Sequence, residues 1–184
     1  NTHLKAVGFT GSRQGGRALY DLASSRSEPI PVFAEMSSIN PIFLLPEFEE
    51  ARMEEIAEGL YLSATMGVGQ FCTNPGVVFY PDNEVGASFR SLFVKKMNTF
   101  GLAPMLHKRI YESYISGINQ ISQQNGVDKL FRSDSHSDED SSYAGPCVFS
   151  TDMNCFLKNP LLSEEIFGPF TLFVSYADLD ELFK

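Results

Sequence analysis

Short apolar runs alternate with longer amphipathic stretches along the chain, a pattern typical of strands that alternate with helices. The apolar runs predict strands over residues 4–9, 32–36, 41–45, 77–80, 147–149 and 171–174. The stretches with helical spacing predict helices over residues 13–25, 49–65, 86–100, 107–124 and 152–157, with a last helix starting near 178.

The order of these elements predicts the fold class. Strand–helix–strand order implies a parallel sheet covered by helices, so we expect an α/β fold with a parallel (mixed) sheet flanked by helices. The polar, acidic stretch 133–142 cannot bury enough apolar surface and is predicted to be a loop. A boundary between two parts falls near residues 35–40. The chain opens within a strand and closes within a helix, so we expect a fragment of a longer protein.

Composition narrows the function classes. The formal net charge of -9 and the isoelectric point near 4.8 argue against nucleic acid, which needs a basic face. The apolar run at 43–45 ends at Pro46, and no other run is long enough to span a bilayer. The three cysteines and three histidines are scattered, so we expect no disulfide scaffold, no metal site and a reducing, cytoplasmic compartment.

Cys72 is the candidate nucleophile. It lies between two glycine-containing segments, 67–69 and 74–76. On such irregular backbone several amide N–H groups can point at one atom, which favours a thiolate and stabilises an oxyanion. The alternative is a small buried hydrophobic side chain. That alternative is favoured for Cys147 and Cys155, which lie in strand-like and helix-like contexts.

Glu35 is the candidate general base. It ends the apolar run 31–34 and is followed by two serines. A carboxylate there would be partly desolvated, which suits a general base near neutral pH. The alternative is a solvated acid at the end of a strand, which spacing alone favours.

Two further segments are candidates for binding. Phe167 follows the two acids Glu164 and Glu165. One acid could accept a hydrogen bond from a ribose hydroxyl while the phenyl ring packs against a cofactor. The alternative is that the acids occupy the N-terminal turn of a helix. Residues 9–17 form a strand, a glycine turn and a helix start, which is a generic anion cradle. They lack the G-x-G-x-x-G spacing, and their arginines are equally consistent with surface charges.

Four segments, in this order, together resemble the aldehyde dehydrogenase superfamily: 9–12, 35–41, 69–72 and 165–169. The resemblance covers essentially the whole chain. It implies that residues 1–35 are the C-terminal remnant of a cofactor-binding, Rossmann-like domain. Residues 36–184 would be the catalytic domain, incomplete at its C-terminal end, and the full-length protein is expected to be a homo-oligomer.

The resemblance also implies the roles of the site residues. Cys72 would attack a small aldehyde and form a thioester, and Glu35 would activate the water that hydrolyses it. NAD or NADP would be the cofactor, with its pyrophosphate near Gly11 and Ser12. Glu165 would orient the nicotinamide-side ribose, and Phe167 would support the ring.

The segment after Glu35 departs from the usual Leu-Gly-Gly of the family. Here it is Met36-Ser37-Ser38, and together with residues 71–76 it resembles the 2-oxoglutarate-semialdehyde (2,5-dioxopentanoate) dehydrogenase branch. Because much of the cofactor domain is missing from the segment, we expect the 184 residues alone to be inactive.

Two alternatives belong to other function classes. A cysteine hydrolase would pair Cys72 with His107, although the residues favour a structural or solvated role for this histidine. A non-catalytic interaction domain on an enzyme-derived fold would tolerate the loss of Cys72. No G-x-S-x-G motif occurs, so a serine hydrolase has no support.

Overall fold

The computed structural model describes residues 1–48, 50–138 and 142–183 and divides into two compact units, residues 1–38 and 39–184. In the first unit, strand β1 (Val7–Thr10) and strand β2 (Val32–Glu35) pair in parallel, with helix α1 (Arg13–Ser24) between them in sequence. Ser12 caps α1 through its hydroxyl, which accepts a hydrogen bond from the Gly15 amide at 3.2 Å. The predicted strand–helix–strand unit is therefore present.

The second unit is built on a five-stranded mixed sheet in the order β3-β4-β10-β9-β6. All neighbours pair in parallel except β6, which runs antiparallel to β9. The strands are β3 (Pro41–Phe43), β4 (Val77–Pro81), β6 (Asp128–Arg132), β9 (Cys147–Asp152) and β10 (Phe170–Tyr176).

Helices cover both faces of this sheet. They are α2 (Met53–Thr65), α3 (Glu84–Met97), α4 (Lys108–Ser122), α5 (Met153–Lys158) and the short α6 (Leu179–Leu182). Successive strand side chains point to opposite faces, so Val78 and Phe173 pack with α2 and α3, whereas Val77 and Leu172 pack with α4. The predicted α/β fold with helices flanking a mixed sheet is confirmed.

The prediction of a polar, acidic loop over residues 133–142 is wrong in part. Strands β7 (Ser135–Ser137) and β8 (Ser142–Ala144) form a small antiparallel sheet with β5 (Ala103–Pro104). Strand β7 is polar and is held by backbone pairing with β8, and β8 adds a single small apolar residue, Ala144, to the core, so a hydrophobic pattern reveals neither strand. Residues 139–141, and residue 49 at the start of the predicted helix 49–65, lie outside the described residues.

The described helices include none that is both long enough and apolar enough to cross a bilayer.

Candidate active site

The segment that leads from α2 to Cys72 has an unusual backbone. Gly67, Val68 and Gly69 all adopt left-handed conformations, with φ of 55°, 58° and 65°. Among the described residues other than glycine, Val68 alone has a positive φ, and a β-branched side chain makes this conformation costly, by about 1–3 kcal/mol. The chain therefore stores strain immediately before the candidate nucleophile.

Cys72 lies on a tight turn that follows this segment. The Asn74 amide donates a hydrogen bond to the Phe71 carbonyl oxygen at 3.0 Å, which closes a four-residue turn with Cys72 and Thr73 at its centre. The side chain of Gln70 braces the approach to the turn: its Nε2 donates to the Gly67 carbonyl oxygen at 2.9 Å, and its Oε1 accepts from the Leu106 amide at 2.8 Å.

The three cysteines differ in exposure. Cys72 is exposed, Cys155 is half-buried, and Cys147 is fully buried in the core. Burial raises the pKa of the Cys147 thiol to about 12, and this thiol donates to the Phe131 carbonyl oxygen at 3.5 Å. The Cys155 thiol donates to the Asn125 carbonyl oxygen at 3.3 Å. Cys72 is therefore the cysteine that a substrate in solution can reach, because nucleophilic attack needs access.

Two asparagines, which the sequence analysis did not single out, hold the turn in place. The Asn40 Nδ2 donates to the Cys72 carbonyl oxygen at 2.7 Å and to the Asn74 carbonyl oxygen at 3.1 Å. The Asn74 Nδ2 donates to the Gly168 carbonyl oxygen at 3.0 Å. We call Asn40 and Asn74 the asparagine clamp.

A sequence signal for the clamp does exist. Both asparagines precede a proline, at 40–41 and 74–75, and both lie just before strands. Pro41 pairs with Val77 in the parallel register of β3 and β4, so the two Asn-Pro segments enter the same sheet edge side by side. The sequence contains three Asn-Pro pairs, and the two that precede predicted strands, at 40–41 and 74–75, were the available signal.

The corner that contains Glu165 and Phe167 meets the Cys72 loop at Gly168. A Cβ added to Gly69 would lie 2.3 Å from the carbonyl carbon of Gly168, so the two backbones touch. Glu165 and Phe167 are half-buried just before this contact. Both acids follow the short 3-10 helix Pro160–Ser163 instead of opening a helix, so the alternative of a helix N-terminal turn is wrong.

Glu35, Gly11 and Ser12 lie together in the first unit. Thr10 pairs with Glu35, and the Gly11 amide donates to the Glu35 carbonyl oxygen at 3.0 Å. The Glu35 side chain is exposed, so the expected partial desolvation is not observed. Alternate residues of β2 face solvent, and Glu35, the last residue of this strand, occupies one of the solvent-facing positions.

The residues around the start of α1 suit an anionic cofactor group. The first turn of α1 contains no acidic residue and contains Arg13, and its N-terminal amides add partial positive charge. A Cβ at Gly11 would lie 2.8 Å from the tip of the Phe9 ring, so the turn passes close to this side chain. The charge of Arg13 and the positive end of the helix fit a pyrophosphate, although the Arg13 and Gly15 amides already donate to the Ser37 and Ser12 hydroxyls.

His107, the partner of Cys72 in the hydrolase alternative, caps helix α4. Its Nδ1 accepts a hydrogen bond from the Ile110 amide at 3.3 Å. The histidine thus has a structural role, as the sequence favoured. The capping hydrogen bond engages one of its two ring nitrogens.

Comparison with known proteins assigns the family. The sequence model described as "Aldehyde dehydrogenase family" matches residues 1–184. The chain belongs to the aldehyde dehydrogenase family, as the four ordered segments indicated.

Two curated relatives share a narrower description. The chain is 40% identical over 179 residues to alpha-ketoglutaric semialdehyde dehydrogenase 2 of Azospirillum brasilense, covering 97% of this chain and 34% of the relative. It is 36% identical over 176 residues to an alpha-ketoglutaric semialdehyde dehydrogenase of Acinetobacter baylyi, covering 95% of this chain and 33% of the relative. The chain thus spans about a third of the length of these relatives.

The fold agrees with solved structures of the family. A 1-pyrroline-5-carboxylate dehydrogenase from Thermus with bound NAD superposes with a TM-score of 0.77 at 18% identity, covering 98% of this chain and 36% of that one. At this identity the likeness shows the fold alone.

Proposed function

We propose that the protein carrying this chain oxidises an aldehyde to a carboxylate with NAD or NADP, through a thioester on Cys72. The observation that carries the proposal is the position of Cys72, exposed on a hydrogen-bonded turn while Cys147 is buried. In this proposal residues 1–35 end the cofactor domain, and residues 36–184 belong to the catalytic domain.

Cys72 performs the first step as a thiolate. Its sulfur forms a bond to the aldehyde carbon, and the carbonyl electron pair moves to the oxygen. The oxyanion is stabilised by N–H groups of the turn, among them that of Cys72. The bound nicotinamide cofactor supplies the hydride acceptor that makes the oxidation to a thioester possible.

Glu35 acts in the second step as the general base. It takes a proton from water, whose oxygen attacks the thioester carbon, and the C–S bond breaks to release the carboxylate and return the thiolate. Gly11 and Ser12 would hold the pyrophosphate, Glu165 would bind the ribose hydroxyls, and Phe167 would support the nicotinamide ring. The NAD bound in the Thermus neighbour supports this class of cofactor.

The substrate we propose is 2-oxoglutarate semialdehyde (2,5-dioxopentanoate). The names of the two curated relatives, at 40% and 36% identity, support it, as does the segment Met36-Ser37-Ser38 after the glutamate. The test is NAD(P)-linked oxidation of this aldehyde by the full-length protein, compared with succinate semialdehyde and acetaldehyde. Equal kcat/KM for all three would contradict the substrate, and no oxidation of any would contradict the function.

The Glu35→Gln variant of the full-length protein tests the base. Rapid mixing should show a normal first turnover of reduced cofactor and a steady-state rate lower by about 10²–10⁴-fold, because only the water step loses its base. Glu28→Gln, an exposed glutamate of the same unit, is the control and should behave as wild type. A Glu35→Gln variant with a normal steady-state rate would assign the base to another group.

A further inference from the structure

The backbone of the Cys72 turn is held by side-chain amides. Asn40 Nδ2 lies 2.7 Å from the Cys72 carbonyl oxygen and 3.1 Å from that of Asn74, so one NH₂ group bridges the centre and the end of the turn. Because an amide nitrogen carries two protons, both bonds can form at once. The Cys72–Thr73 peptide plane is thereby fixed from outside the turn.

Asn74 is engaged through three of its polar groups. Its backbone N–H closes the turn on Phe71, its backbone oxygen accepts from Asn40, and its Nδ2 reaches the Gly168 oxygen at 3.0 Å. The clamp therefore connects three segments of the second unit: the start of β3, the turn and the corner before β10.

The clamp includes a buried polar atom that lowers the stability of the fold. Asn74 is only 8% exposed, and its Oδ1 has no hydrogen-bond partner in the described part of the structure. A buried acceptor without a partner costs about 1–3 kcal/mol. The Gly168 oxygen also accepts from the Phe170 amide at 2.7 Å, so it would not be left unpaired without Asn74. An apolar side chain of similar size at position 74 would avoid the cost and leave no unpaired group.

We propose that Asn40 and Asn74 are positioning residues, which hold the Cys72 turn and the Glu165–Phe167 corner in the relative geometry that attack on the aldehyde and oxidation require. The expected effect on the rate of catalysis rests on the proposed function. The expected effect on the geometry of the Cys72 turn does not. Catalysis is sensitive to such placement, since a misplacement of about 1 Å can lower a rate about 100-fold.

The first experiment measures the turn itself in the 184-residue chain. Hydrogen exchange followed by mass spectrometry should show faster exchange, by about tenfold or more, in the peptide that covers residues 70–76 of Asn40→Ala and Asn74→Leu. Exchange in β4 and β10 should be unchanged. Asn98→Ala, an exposed asparagine after α3, is the control and should match wild type throughout. Unchanged exchange at 70–76, or faster exchange everywhere, would overturn the proposal.

The second experiment measures turnover in the full-length protein. Asn40→Ala and Asn74→Leu should lower kcat by about 10–100-fold, with a smaller rise in KM for the cofactor because Glu165 and Phe167 are displaced as well, while Asn98→Ala changes neither. If Asn40→Ala does not fold, Asn74→Leu carries the test, because it removes a buried unpaired acceptor. A normal kcat in Asn74→Leu would overturn the proposal even if wild type oxidises the aldehyde.

The two experiments separate the possible failures. If wild type oxidises no aldehyde, the proposed function fails, and the exchange experiment still decides whether the clamp holds the turn. If wild type is active and the variants equal it, only the clamp proposal fails.

Discussion

Gly69 and Gly168 touch through their backbones, and this contact joins the Cys72 loop to the corner that carries Phe167. A Cβ on Gly69 would lie 2.3 Å from both the carbonyl carbon and the carbonyl oxygen of Gly168, and Gly69 also has φ of 65°. Two independent constraints, the close approach and the left-handed backbone, therefore require glycine at position 69.

Gly69→Ala should destabilise the chain. We expect the free energy of unfolding to fall by about 2 kcal/mol or more, because the new methyl group meets backbone that cannot move aside and the left-handed conformation becomes strained. Urea unfolding of the 184-residue chain measures the change.

Gly59→Ala is the matched control for this change. Gly59 is exposed in the middle of α2, where an added Cβ meets nothing within 4 Å. The same substitution should here raise the free energy of unfolding by roughly 0.5–1 kcal/mol, because alanine favours a helix over glycine. Equal effects at positions 59 and 69 would contradict the tight contact at Gly168.

Alkylation of the native chain should select among the cysteines by exposure. Iodoacetamide at pH 8 should modify Cys72 first, half-buried Cys155 more slowly, and Cys147 only after unfolding. Mass spectrometry of digested samples gives the order, and Cys72→Ser should remove the fast phase alone. Labelling of Cys147 in the native chain at a rate similar to Cys72 would contradict the burial of β9.

Cys147 should also make stability fall at alkaline pH. Its pKa is raised from 9.0 to about 12, chiefly by desolvation, although Arg132 and Lys129 oppose the shift. Above pH 9 the unfolded chain releases this proton while the folded chain keeps it, so the unfolded state binds fewer protons. Its contribution to stability is therefore complete below pH 9 and is lost between pH 9 and about pH 12.

The Cys147→Ala variant isolates this effect. It should be less stable at pH 7, because of the cavity, but its free energy of unfolding should decline less steeply above pH 9, by up to about 1.4 kcal/mol per pH unit. Buried tyrosines such as Tyr114, whose pKa is also raised by desolvation, remain in both proteins. Parallel curves for wild type and variant between pH 9 and pH 11 would contradict the raised pKa.

The longer strands and helices were predictable because their hydrophobic pattern in the sequence matches the burial of their residues in the fold. Residues 77–80 read as a strand because each is apolar, and all are buried in β4, an interior strand of the sheet. Helix 107–124 was predicted close to the observed Lys108–Ser122 because its apolar residues recur with helical spacing along one face.

The missed strands lack that pattern. Strand β6 (Asp128–Arg132) lies at an edge of the sheet and contains three charged residues around a short apolar pair. It pairs with β9 through a register shift between Lys129 and Phe131. Strand β7 consists of Ser-His-Ser and is defined only by its partner β8. Such strands depend on contacts distant in sequence, which periodicity does not encode.

For the site, the sequence could indicate which residues carry chemistry but not what holds them. Cys72 was found from its glycine-flanked context, and the family resemblance assigned Glu35, Glu165 and Phe167 their roles. The clamp was missed because Asn40 is 32 and 34 residues from its two acceptors, and only the pairing of β3 with β4 brings them together.

The asparagine clamp also has a consequence for the ageing of the protein. Spontaneous deamidation of asparagine begins when the nitrogen of the next residue, after losing its proton, attacks the side-chain amide. Proline follows both Asn40 and Asn74 and has no such proton, so neither residue has this route to aspartate. Asn125, by contrast, precedes a glycine, so during long storage chemical damage should collect at the α4–β6 connection and spare the nucleophile turn.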